Sequence, residues 1–255
     1  MSTEEGLFLL DLPGVKSQLS DLVIRYCDQV DSTNDWARRV SSKFTGNQSE
    51  LFLTRHQTAG RGRGDHQWDS SRGSLTFSIL IRDVFAFNDP RRSLVALAAG
   101  CGVCVALESF AATPALKWPN DVFCQQGKLA GILVESGDRG SLIVGCGINV
   151  NNDVSAIKQG ASLKDCCPKP ADLTQVLVAS VREILNLIGR IESGGEALLR
   201  LFDRLDWLRD APVEWSSGSQ VETGIACGIA PDGALKIMTE RGELQVASGS
   251  VVRLD

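Results

Sequence analysis

Two apolar runs constrain this chain most: LAGILVE at 129–135 and SLIVGCGINV at 141–150. Each is shorter than a usual helix, and a few polar residues separate them, so they read as a buried hairpin. Other strands are expected at 22–28 (LVIRYCD), 50–55 (ELFLTR) and 74–82 (SLTFSILIR). Short strands follow near 115–118 and 121–124, turning at Gln125, Gln126 and Gly127. Asp89 and Pro90 suit a helix start, and that helix should run to about Ala111. Asp172 should cap another, with Val176, Leu177, Val181, Ile184, Leu185 and Ile188 on one face. A third helix is expected over roughly 195–206, and a short one through Trp36–Arg39. Ser32 with Asp35 three residues on resembles a capping box for that short helix.

After Leu208 the pattern changes. Short alternating strands are broken by Ser-Gly, Asp-Gly and Arg-Gly turns, which suits a small β-barrel. The reading therefore divides the chain into residues 1–208 and 209–255.

The formal net charge of −5 argues against the whole chain as a nucleic-acid binder, since such binding rests on neutralising phosphates. A local basic loop could still hold a nucleotide. Cys101 and Cys104 form a C-x-x-C inside an apolar helical run, and no second pair at metal-ligand spacing follows, so buried thiols are expected. The N-terminus lacks the pattern of a signal peptide, and no window approaches the ~18 uninterrupted apolar residues of a membrane span. A reducing cytoplasm, with no membrane partner, fits these observations.

Four segments are dense in chemistry. In residues 57–68, glycines at 60, 62 and 64 free the backbone to approach a ligand, Arg61 and Arg63 suit a carboxylate or phosphate, and Trp68 suits a base. The same residues also fit a solvated surface loop. Lys117, Asn120 and Asp121 converge in KWPND, where Asp121 could hold Mg²⁺ on a phosphate or simply serve a turn. Lys128 opens the apolar strand GKLAGILVE as a point charge or a snorkelling lysine, and Gly131 leaves room beside the sheet. Gly145 and Gly147 in GCGINVN suggest a close backbone approach or a bulge.

In this order and spacing the four segments closely resemble the biotin–protein ligases. The first two thirds of the chain match the catalytic domain of that family, and the tail resembles its SH3-like domain. The resemblance implies an α+β fold: a mixed, largely antiparallel sheet with helices packed on one side, then a small SH3-like β-barrel. It implies biotin contacts from Ser32, Thr33, Gln57, Gly60, Arg61, Gly62, Lys128, Gly131, Ile132, Gly145 and Gly147. It implies ATP contacts from Arg63, Trp68, Lys117, Asn120, Asp121 and Asn149, with Asp121 toward Mg²⁺ and Arg63 and Lys128 catalytic. The implied activity forms biotinyl-5′-AMP from biotin and ATP, then biotinylates a lysine of the biotin carboxyl carrier protein of acetyl-CoA carboxylase.

Two departures matter. Asp65 stands where the family usually has Gly and His66 where it usually has Arg, so the nucleotide loop carries less positive charge. Only about 20 residues precede the first strand, too few for the winged helix-turn-helix of repressor members, so no DNA binding is expected. A monomer and a homodimer are both compatible with the sequence. Three other readings stay open: a lipoate or octanoate ligase on the same fold, a biotin sensor without catalysis, and a nucleic-acid-binding module.

Overall fold

The computed structural model describes residues 9–43, 48–82, 85–86, 89–192 and 195–254. The leader reading at residues 1–8 lies outside them. A seven-stranded sheet forms the body. Its strands are β1 (Val23–Val30), β2 (Glu50–Gln57), β3 (Ser74–Ile81), β4 (Ala115–Lys117), β5 (Asp121–Cys124), β6 (Gly127–Ser136) and β7 (Leu142–Asn149). They lie in the order β1-β2-β3-β7-β6-β5-β4. Only β1 and β2 pair parallel; the other neighbours are antiparallel. The apolar hairpin of β6 and β7 is thus central, with β3 on one side and β5 on the other.

Strand residues alternate between faces, and the packing records the alternation. Leu51, Leu53, Phe77, Ile79, Leu142 and Val144 join the main core. That core is roofed by α3 (Val95–Glu108) and α5 (Leu173–Ile191), which pack on each other. Helix α3 is apolar nearly all round because it is buried nearly all round. With its preceding 3₁₀ turn, Pro90–Glu108 is long and apolar enough to cross a membrane by composition, yet two thirds of it is buried in protein. Cys101 and Cys104 are fully buried in it, as expected, and burial pushes the Cys101 thiol up to about 12. Asp172 caps α5 by accepting from the Gln175 amide at 2.9 Å.

The long helices share one side, and the other side carries a short one. Phe52, Leu80 and Ile143 face away from the main core and pack with Ala37, Trp36 and Val40 of α2 (Thr33–Ser41). The capping box expected there does not form: Ser32 makes no side-chain cap. Asp35 is instead paired to Arg61, 2.7 Å away, and Ser32 is left facing a cavity. Two short helices not anticipated are α1 (Leu12–Gln18) and α4 (Leu163–Cys166).

Helix α6 (Glu196–Leu205) leads into a second, antiparallel sheet of β8 (Pro212–Ser217), β9 (Gln220–Ile229), β10 (Leu235–Thr239), β11 (Gly242–Val246) and β12 (Ser250–Arg253). Its order, β11-β10-β9-β8-β12, suits the SH3-like unit expected. Val213, Leu235, Ile237 and Val251 join the main core, and Trp118 Nε1 donates to Gly233 O at 3.0 Å, so the second sheet is anchored beside β4 and β5.

Candidate active site

The cavity, of about 850 Å³, opens on the α2 side of the large sheet. Its floor is backbone. Gly131 and Gly147 are register partners on β6 and β7, as are Leu133 and Gly145 one step along. A Cβ on Gly147 would overlap the Trp68 indole, which therefore lies on the bare strand. Trp68 Nε1 is buried without a hydrogen-bond partner, and so is Thr76 Oγ1 on the neighbouring β3.

Loop 58–73 forms one wall as a small ordered hairpin. Trp68 N donates to Gly60 O at 3.0 Å, and Gly62 N to His66 O at 2.7 Å. Arg61 lines this wall, with its guanidinium bridging Asp35 and Glu135. Arg63 points inward, donating to Asn120 Oδ1 at 3.2 Å and to Gly249 O of the second sheet at 3.4 Å.

At one end sits a buried polar pair. The Thr33 backbone N–H donates to Gln57 Oε1 at 2.8 Å, and the Gln57 backbone N–H to Ser70 Oγ at 2.7 Å. At the other end are the lysines. Lys128 Nζ lies 2.6 Å from Asp121 Oδ1, and its backbone is fixed by Gln159 and Ala161. Lys117 is half-buried over the Phe123 ring, and burial lowers its pKa. Asn120 is held by donating to Ile132 O at 2.6 Å. Asn149 donates to Lys128 O at 3.3 Å and accepts from Asn152 at 3.0 Å. One end thus hydrogen-bonds a neutral polar group, and the other concentrates positive charge for an anion, although the chain as a whole is acidic.

Residues 26–153 match the model of the biotin/lipoate A/B protein ligase family. The chain belongs to that family. A biotin–[acetyl-CoA-carboxylase] ligase of Mycobacterium tuberculosis is 30% identical over 80% of this chain and 79% of its own length. Another from Paracoccus denitrificans is 29% identical over 88% and 97%. The solved structure of biotin protein ligase from Aquifex aeolicus in complex with biotin and ATP superposes with a TM-score of 0.79, at 28% identity, over 91% of this chain and 99% of that one.

In this member of the ligase family the cavity gathers Ser32 and Thr33 at the start of α2 with Gln57, Arg61, Gly62 and Arg63 of the 57–68 segment. It also gathers Trp68, Lys117, Asn120, Asp121, Lys128 and Gly131, with Ile132, Gly145, Gly147 and Asn149. Gly60 is the exception. It does not line the cavity, and a Cβ there would overlap Trp68 O, so the loop's close turn excludes a side chain at that position. Ile132 reaches the cavity from a strand whose side chain there is buried in the main core.

The sequence reading passed over Asn34, Thr76, Lys158 and Gly249, all of which line the cavity. No local pattern marks them; only long-range packing brings them in. Among the described residues no group of three His, Cys, Asp or Glu is set to hold a metal. Asp121 offers a single carboxylate, which fits Mg²⁺ where phosphate oxygens complete the shell.

Proposed function

We propose that this protein is a biotin–protein ligase that makes biotinyl-5′-AMP and passes the biotinyl group to a carrier lysine of acetyl-CoA carboxylase. One observation carries the reading: a buried neutral pair, Thr33 and Gln57, and an inward cationic set, Arg63, Lys117 and Lys128, share one cavity. A ligand that fits both ends has a neutral hydrogen-bonding head and an acidic tail that meets a nucleotide phosphate.

In the first half-reaction a biotin carboxylate oxygen bonds to the α-phosphorus of ATP, and the bond to pyrophosphate breaks. Negative charge gathers on the phosphoryl oxygens, where Arg63 and Lys128 stabilise it, as cations aimed at developing charge do in a site closed to water. The Lys128–Asp121 pair opens as the lysine turns to the new anion. Mg²⁺, when bound at Asp121, would neutralise charge on the departing pyrophosphate. Ser32, Thr33 and Gln57 hold the biotin head, loop residues 60–62 close over it, and Gly131, Ile132, Gly145 and Gly147 form its wall. Trp68 moves off the glycine floor to pack on adenine, with Asn120 and Asn149 beside the nucleotide.

In the second half-reaction the carrier lysine amine bonds to the acyl carbon and AMP leaves. The amine must first lose a proton, since an unperturbed lysine has a pKa of about 10.4. Asp121, beside Lys128 at the cationic end, would accept it. Residues 1–208 would supply catalysis, and 209–255 would lend Gly249 as a rest for Arg63. The enzyme would work in the cytoplasm, off DNA and membranes, as a monomer or homodimer.

Incubation with biotin, ATP, Mg²⁺ and a purified carrier domain should add one biotinyl group to one carrier lysine, read by mass spectrometry. Free lipoate should not compete. Lipoylation of the carrier in place of biotinylation would refute the substrate assignment.

A further inference from the structure

The Thr33 hydroxyl can donate or accept, and its surroundings decide which. Glu135, near the end of β6, has Arg61 Nη2 at 2.7 Å and Arg38 Nη2 at 2.9 Å. Burial alone would raise its pKa; hydrogen bonds from Arg61 and Asn34 and the arginine charges overcome this and lower it. An ionised carboxylate only accepts. Asn34 Nδ2 donates to Glu135 Oε2 at 2.7 Å and to Leu133 O at 3.2 Å. Both partners are acceptors, so the amide cannot flip, and its Oδ1 must face Ser78.

Ser78 is fully buried on β3, with Oγ 2.6 Å from Asn34 Oδ1 and 2.7 Å from Thr33 Oγ1. Two lone pairs at 2.6 Å repel, so the one Ser78 proton lies toward Asn34. Toward Thr33, Ser78 can then only accept, and the Thr33 hydroxyl donates to it. No proton remains for the 3.1 Å approach of Thr33 Oγ1 to Gln57 Oε1, which already accepts from the Thr33 amide. Thr33 therefore has only a lone pair left for a ligand. Gly145 is part of the device, because a Cβ there would overlap Asn34 Oδ1.

We propose that Glu135, Asn34 and Ser78 form a hydrogen-bond relay that fixes Thr33 as an acceptor, so the cavity selects a head group carrying an N–H donor. This rests on the biotin reading, whose cyclic urea supplies such a nitrogen. Asn34, Ser78 and Glu135 are positioning residues: they act through Thr33.

The test compares binding of biotin with its two ureido mono-N-methyl derivatives, for the wild type, Ser78→Ala and Glu135→Gln. The wild type should discriminate strongly against at least one derivative. Ser78→Ala should weaken biotin roughly tenfold while changing that derivative's affinity by under about threefold, because only the N–H bond is lost. A purely structural defect would weaken all three ligands alike. Glu135→Gln, changed outside the head-group pocket, should also erode the discrimination, and it carries the test if Ser78→Ala does not fold. An unchanged discrimination ratio in folded variants overturns the relay alone. A wild type that binds no biotin overturns the ligase reading, and the relay with it.

Discussion

The Trp68 indole lies against the backbone of Gly147, where a side chain as small as a methyl group would overlap the ring. The two residues are far apart in sequence, yet each limits what the other can be. Gly147→Ala should push the indole off the floor and crowd the biotin wall, lowering biotin-dependent adenylation at least tenfold with a modest fall in Tm. The Trp68→Ala/Gly147→Ala double variant should lose less than the product of the two single losses, because residues in contact are not additive. Steady-state adenylation kinetics on the four proteins check this; additive losses would separate the pair.

Arg61 lines the cavity and also latches the loop, its guanidinium shared between Asp35 and Glu135. Arg61→Ala should loosen residues 58–73, raise the KM for biotin several-fold and leave kcat nearer to normal. Faster proteolysis within the loop, slowed by biotin, would accompany it. Because the three side chains are partly exposed, high salt should weaken the wild-type latch toward the variant. An unchanged KM with a fallen kcat would assign Arg61 to the chemistry instead.

Asp206 follows α6, where its segment bridges to Leu116 of β4, and one of its carboxylate oxygens is buried without a partner. Burial pushes its pKa up to about 6, against a lowering hydrogen bond from the Leu208 amide. The folded state therefore holds a proton that the unfolded state, titrating near about 4, has already lost. Stability should fall as pH climbs from about 4 through about 6 and stay lower above that. Asp206→Asn should flatten this segment of the curve and gain about 1–2 kcal/mol at neutral pH. Tm against pH for both proteins checks the sign; a variant less stable at pH 7 would contradict it.

Much of the site could be read from the chain because it is built from short local segments. KWPND ends on Asp121, the first residue of β5, and GKLAGILVE forms most of the antiparallel β6, so Asp121 and Lys128 meet through a single turn. The glycines of β7 were legible for a similar reason, since glycine inside an apolar strand needs a cause. What stayed hidden depends on distant partners. Ser78 is one serine in an apolar strand, and its role appears only when α2 brings Asn34 over it. Ser32 and Asp35 match a capping box in spacing, but Arg61 takes the carboxylate, so a sound local pattern gave way to a tertiary contact. Helix α1 has only Val15 fully buried, too little to leave a periodic signature.

The account's central claim is that Lys128 serves the anion made when biotin meets ATP. Biotin-dependent exchange of labelled pyrophosphate into ATP reads that step without any carrier protein. The wild type should exchange only with both biotin and Mg²⁺ present. Lys128→Ala should lose at least ~100-fold in rate while still binding biotin, in line with removing a charge that stabilises a transition state. Near-normal exchange in Lys128→Ala, or wild-type exchange without biotin, would contradict the account.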